Sequence, residues 1–347
     1  MAEIVDVTAD NESTAKFLQS YIQSGNINFL IGSGASFPAI ATAGNIEGEI
    51  NTLLAGGDLE QASRRCLEFI EQIDTVHGQM ETTDTANPIH AVAQSYKLFL
   101  TTIDRILFER KNILLPRQAT VFTTNYDMFL EHASSLVPSV ILNDGFERSS
   151  SLSPEFMFTP ERYFDRTYRS GPVYGHQTEI PTINLVKLHG SLSWRRKADS
   201  IVFDPVAVSK LTAAEKADIA NVDGYLAKHF LILPNLRKFH ETLMERVYYD
   251  LLRLFSKAMD RENTVLIAFG FSFADEHILD MTRRMLRNPT TQLIIVSFDH
   301  ASAAGFEVKF AKQRNVSVLR PAAGVTIDFK HFNEMLASIL PGSSHGS

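Results

Sequence analysis

Cysteine is nearly missing from this chain: Cys66 is the only one in 347 residues. A disulfide within the chain is therefore impossible, and so is a zinc site built on two or more cysteines. Such low cysteine use fits a reducing cytoplasm. The acidic start, MAEIVDVTADNES, has neither the basic stretch nor the apolar core of a secretory leader. A cytoplasmic protein is expected. Long apolar runs are absent as well. The longest, Val265–Phe271 and Gln292–Phe298, fall far short of the ~20 residues that a membrane-spanning helix needs. Positive charge is not in excess: 33 Lys and Arg against 40 Asp and Glu leave a net charge of −7, which does not suit a general nucleic-acid coat. There is no GxxxxGK[ST] phosphate loop, no HExxH, no GxSxG and no repeat of fixed period.

What remains is a chain of globular composition, 44% hydrophobic and 21% charged. Short apolar runs recur along it: Ile27–Ile31, Ala119–Asn125, Ser139–Asp144, Ile183–Ser191, Val265–Ser272, Gln292–Phe298 and Val316–Leu319. Unbroken Val/Ile/Leu runs suit strands covered on both faces. Helical stripes lie between them. Ile89, Val92, Tyr96, Phe99, Ile103 and Ile106 step by three and four, with Pro88 near the start. Leu243, Val247, Leu251, Leu254 and Ala258 form another stripe. After Gly270-Phe271-Ser272-Phe273, a capping box of Ser272 and Asp275 predicts a helix that Asn288-Pro289 closes. The expected fold is α/β, a Rossmann-like, doubly wound, mostly parallel sheet. Eighty-eight positions separate Ile31 from Ala119, far more than a crossover requires. A helical insertion is therefore expected at about 45–118, and a loop-rich one at about 146–181. Residues 1–340 read as a single domain and 341–347 as a flexible tail or cloning scar.

Four motifs follow predicted strands, where open α/β sheets bind ligands. Gly32-Ser33-Gly34-Ala35-Ser36 suits a turn whose amides cradle a pyrophosphate, or a plain tight turn. Thr123-Thr124-Asn125-Tyr126-Asp127 brings two polar side chains to a strand end; helix capping competes for Asp127. Lys187-Leu188-His189-Gly190-Ser191 offers His189 on a sharp turn, with an unperturbed pKa of about 6.5 suited to a general base. Gly270 and Ser272 end the most apolar strand, and Ser272 is equally a helix cap. His132, His240 and His277 fall on predicted helices and read as structural. Asp299, Glu307 and Lys309 match a fragment of a metal-dependent nuclease site, a pattern common by chance. Arg195-Arg196-Lys197 and Arg283-Arg284 read as solvated surface.

Taken in order, GSGAS, TTNYD, KLHGS and GFSF resemble the sirtuin-like superfamily. Two departures mark the branch: the four-cysteine zinc module is absent, and FPAIATAGN stands where deacylases carry a GIPDFR-type stretch. The pattern is closer to the bacterial sirtuin-like NADases of anti-phage defence, of the kind paired with a hexameric HerA-like ATPase. That resemblance implies hydrolysis of NAD⁺, as substrate, to nicotinamide and ADP-ribose, without zinc or any other metal. It also implies a homo-oligomer, NAD⁺ depletion in abortive infection, and contact with nucleic acid only indirectly, through a partner. By the same resemblance, Asn125 orients the ribose and a water. Asp127 supplies negative charge or fixes the loop, and His189 is the base. Gly32, Ser33, Gly34, Ala35 and Ser36 cradle the pyrophosphate, with Thr124, Gly190, Gly270 and Ser272 beside them and Asp299 on the adenosine side. Two alternatives stay open: a pocket that binds NAD⁺ or ADP-ribose without turnover, and a metal-dependent nuclease subunit using Asp299, Glu307 and Lys309.

Overall fold

The structure, a computed structural model, describes residues 2–7, 12–110, 112, 114–148, 156–171, 177–197, 200–204, 208–232 and 241–341. His240 and the tail after 341 lie outside them. The main sheet has eight strands, numbered here β1 (Glu3–Asp6), β2 (Asn26–Ile31), β3 (Gln118–Thr123), β4 (Ile141–Asn143), β5 (Thr182–Lys187), β6 (Thr264–Phe269), β7 (Thr291–Val296) and β8 (Val316–Arg320). Their order is β1-β8-β7-β6-β2-β3-β5-β4, and every pairing is parallel. All seven strands expected from the sequence are present. β1 is additional; it is a four-residue edge strand with exposed ends, too short for an apolar run to mark it.

Both faces of the sheet are covered, as the unbroken apolar runs require. On one face Phe29 of β2 meets Phe99 of helix Pro88–Phe108 edge to face at 5.1 Å, and Phe269 of β6 stacks on Phe332 of helix Phe329–Ala337 at 4.8 Å. On the other, Phe122 of β3 packs against Phe255 of helix Glu241–Met259 at 4.8 Å. Such rings carry much of the core energy, and truncating one to Ala typically costs about 3–5 kcal/mol.

Within the stretch 45–118, helix Pro88–Phe108 is the crossover that covers β2. Its start is set by Pro88 at the first turn and by the Asn87 side chain, which accepts from Ile89 N–H. Helices Ala43–Ala55 and Leu59–His77 are what is added to a plain βαβ unit. Short strands occupy 146–181: two of them, Phe146–Glu147 and Phe156–Phe158, join Trp194–Lys197 and Ser200–Phe203 in a four-stranded antiparallel sheet.

Candidate functional site

The order of strands reverses between β2 and β6. From β2 the chain moves to β3; from β6 it moves the opposite way, to β7. A crevice at the carboxyl ends of the strands is the place where open α/β sheets take ligands. The register there is even. Phe269, Ile31, Thr123 and Lys187 stand abreast on β6, β2, β3 and β5. The four motifs are the four loops that follow, so the fold brings them together.

The glycines join two of these loops. Gly32 N–H donates to the Phe269 carbonyl and Gly34 N–H to the Gly270 carbonyl, both at 3.0 Å. A Cβ on Gly32 would lie 2.4 Å from the Gly270 oxygen. Gly270 itself has a φ of +64°, and a Cβ there would lie 2.8 Å from the Ala35 nitrogen. The space freed by Gly32 and Gly270 is thus filled by neighbouring backbone. Ser33–Ala35 form one 3₁₀ turn.

Behind this turn sits a buried polar cluster. Asn125 Nδ2 donates to the Gly32 carbonyl, Ser36 Oγ and Tyr96 Oη at 3.1, 3.1 and 3.3 Å. The Gly32 carbonyl can only accept, so the amide orientation is fixed with NH₂ inward. Ser36 Oγ donates to Asp127 Oδ2 at 2.7 Å. Its one proton is committed there, so Tyr96 donates to Ser36 at 2.9 Å. Burial, with Asp127 nearby, holds the Tyr96 phenol well above its ordinary pKa and keeps that proton in place. Asp127 Oδ1 accepts from Phe129 N–H at 3.2 Å, at the entry of helix Phe129–Ser135. Asp127 is therefore both a helix-entry acceptor and a brace for Ser36. Asn125 Oδ1 has no partner, although the residue is 7% exposed.

Lys187 lies beneath the next loop. Only 2% exposed, it pairs with Glu131 Oε1 at 2.9 Å and donates to Ser191 Oγ at 3.0 Å and to the Asp127 carbonyl. Burial raises the Glu131 carboxyl, with Lys187 pulling it back. The pair ties the Asp127 loop to the His189 loop. Gly190, at φ +82°, lets the strand Phe230–Leu231 approach; a Cβ there would lie 2.2 Å from the Phe230 oxygen.

His189 is 8% exposed. Its Nε2 lies 3.0 Å from Asp275 Oδ2, and its Nδ1 is buried without a partner. Asp275 comes from the loop after β6, so that loop reaches over β2 and β3 to the end of β5. Burial pushes the Asp275 carboxyl up; the His189 contact and the Ile278 and His277 N–H groups outweigh it and leave the carboxyl below its ordinary value. Phe273, at φ +54° and buried against Phe271, Phe306 and Phe310, holds the loop in this strained path.

One expectation differs in detail, the cap of the helix after β6. The helix after β6 begins at Glu276, and its cap is Asp275, accepting from Ile278 N–H at 3.1 Å; Ser272 is exposed in the loop, with its carbonyl bonded by Lys309 Nζ. Asp299 follows β7 and caps helix His300–Lys309 through Ser302 N–H at 2.7 Å. Lys309 is held by the Ser272 and Phe273 carbonyls. Among the described residues, no group of three or more His, Cys, Asp and Glu is placed to hold a metal, and no helix is long and apolar enough to cross a membrane. Two site residues carry no functional mark in the sequence: Tyr96 falls in an apolar helical stripe, and Asp275 fits a helix cap.

The site is thus a buried polar cluster at the carboxyl ends of the strands, at the switch point of a doubly wound parallel sheet. Residues 119–319, more than half the chain, match the SIR2-like domain family. The protein belongs to that family, and membership implies use of NAD⁺. The matched span takes in Asn125, Asp127, His189 and Asp275 and leaves out the Gly32–Ser36 turn. No curated protein matches the sequence.

Proposed function

We propose that the protein is an NAD⁺ glycohydrolase. One observation carries this: Asn125 Oδ1 and His189 Nδ1 are both buried and both lack a partner. They belong to residues two positions beyond the register partners Thr123 and Lys187, at the ends of adjacent strands. Buried polar atoms are nearly always bonded in a folded protein. An orphan acceptor and an orphan imidazole nitrogen at the switch point fit a bound ribose and water, and so fit the group that the family implies.

The chemistry asks little more. Nicotinamide leaves as a neutral molecule, so no acid is needed and the paired carboxylates of ordinary glycosidases are dispensable. Water adds at the ribose C1′, the C1′–nitrogen bond breaks with its electron pair going to nicotinamide, and the water gives up a proton. In this scheme Asn125 Oδ1 orients the ribose or the water. Asp275 keeps the proton on His189 Nε2, which leaves Nδ1 free to accept the proton from water. Asp127 holds Ser36, and through it Asn125, in place. The Gly32–Ser36 turn, with Gly270 alongside, faces the pyrophosphate. With Cys66 as its single cysteine, the chain cannot build the four-cysteine zinc module of sirtuin deacylases, which supports hydrolysis over peptide deacylation.

Assembly of several copies, pairing with a HerA-like ATPase and a role in anti-phage defence belong to the same proposal. Light scattering on the protein, alone and with its genomic neighbour, tests the assembly. The activity is tested by following nicotinamide from NAD⁺ by chromatography, without acylated peptide, beside His189→Ala. Release by wild type and not by the variant supports it. Saturable NAD⁺ binding without release, with the neighbour present, replaces it with a regulatory binding module.

A further inference from the structure

A groove of about 840 Å³ lies away from this site, between the end of helix Glu276–Met285 and the segments that lead into β7 and β8. Arg283, Arg284, Arg287, Lys312 and Arg314 line it, against one acid, Asp280. Five cations and one acid give a local charge of +4 in a chain whose net charge is −7. Some of this charge has a local cause. Helices Glu276–Met285 and His300–Lys309 both end here, and cations are favourable near helix C-termini. Arg283 answers that need: its Nε and Nη2 donate to the Lys309 carbonyl at 3.2 and 2.8 Å, and it lies 3.6 Å from Asp280. Arg284, Arg287, Lys312 and Arg314 form no ion pair among the described residues. The groove between them is preorganised. Asn315 Nδ2 donates to the carbonyls of Leu286, Asn288 and Thr291, which pins the helix end to the segment before β8.

We propose that this groove binds the phosphodiester backbone of a nucleic acid. Four free cations around a concavity match a row of phosphates, with guanidinium forks suited to paired phosphate oxygens. An acidic protein surface fits less well, because protein interfaces rest on buried aromatic anchors and no aromatic ring lines the groove; its only apolar residues are Leu286 and Pro289. Contacts to phosphates carry no sequence information, so recognition through this groove is independent of sequence. The chain as a whole is acidic, and its overall charge hides this concentration. The proposal is independent of the NAD⁺ reading. The groove is at the far end of the helix capped by Asp275, about 15 Å along a ten-residue helix.

The test is fluorescence anisotropy of the full chain with a labelled 20-base-pair DNA duplex, and with an RNA of the same length, from 50 to 300 mM salt. If all four free cations meet phosphates, log affinity for duplex DNA falls with log salt at a slope of about −3.6. Arg284→Glu/Arg287→Glu, both exposed, should halve that slope and weaken binding about tenfold or more at low salt. Lys16→Glu/Arg253→Glu, the same charge change on exposed positions elsewhere, should leave both nearly unchanged. Binding of DNA, RNA or both with this pattern supports the proposal. No binding at 50 mM salt, or equal losses in both double variants, overturns it. So does displacement of the duplex by poly-glutamate at equal charge concentration, which would make the groove a dock for an acidic protein.

Discussion

Asp275→Asn is the most informative single change in the site. The side chain does two things: Oδ2 faces His189 Nε2 at 3.0 Å, and Oδ1 caps the following helix through Ile278 N–H at 3.1 Å. Asparagine caps a helix about as well as aspartate, so the variant keeps the helix. It removes the negative charge beside His189, and its amide can turn a donor toward Nε2. A hydrogen bond to a charged partner is worth about 1.5–3 kcal/mol. If that bond holds the productive tautomer and stabilises the imidazole as it gains a proton, nicotinamide release falls by roughly 10- to 200-fold. KM for NAD⁺ stays near wild type, because Asp275 acts through His189. Asp275→Ala should lose the same activity and also about 1 kcal/mol of stability with the cap. Steady-state release of nicotinamide and urea denaturation separate the two effects. Wild-type turnover in Asp275→Asn would refute the positioning role, and faster turnover would mean that the bond holds the enzyme off.

Other consequences follow from the same contacts. Lys187→Ala leaves Glu131 buried without its cation and should destabilise the fold by about 3–5 kcal/mol, read by urea denaturation; a loss under 1 kcal/mol would contradict the buried pair. Tyr96→Phe removes the hydroxyl shared by Ser36 and Asn125, and should cost about 1 kcal/mol of stability and lower nicotinamide release while leaving the stacking on Phe129 intact. His229 is buried, which lowers its pKa to about 4, with Arg195 adding to the effect. A histidine depressed in the folded state is protonated more readily when unfolded. Its contribution is therefore complete above about pH 6.5 and is lost as pH falls toward 4, by up to about 3 kcal/mol. In His229→Gln the drop in unfolding free energy between pH 7 and pH 5 should be visibly smaller; an unchanged drop would assign it to other groups.

The sheet was legible because its strands are buried on both faces, so Ile27–Ile31 or Val265–Phe269 appear as apolar runs that solvent-facing positions do not interrupt. Edge strand β1, with Glu3 and Asp6 exposed, has no such mark. The loops that follow four strands were legible from their glycines and polar residues, since strand ends are where a sheet exposes backbone. The cause of the glycines at 32 and 270 was not legible. Local sequence cannot show that each faces the backbone of the other's loop across a gap of over 230 residues. Asp275 was hidden by its neighbour. Ser and Asp are both good caps, and only the left-handed turns at Gly270 and Phe273 delay the helix until Asp275 becomes its cap and meets His189. Tyr96 satisfies a helical stripe so well that nothing in the spacing reveals its hydroxyl at work. The groove cations come from two separate segments, 283–287 and 312–314, each unremarkable alone.

NAD⁺ hydrolysis by this protein is best tested by product stoichiometry. Wild-type protein and Asn125→Ala, each shown to be folded by circular dichroism, are incubated with NAD⁺, alone and with the genomic neighbour, and nicotinamide and ADP-ribose are quantified together. Wild type should give equal molar amounts of the two products, and the variant neither. Intact NAD⁺ in every wild-type sample, or equal turnover by Asn125→Ala, would contradict hydrolysis at this site.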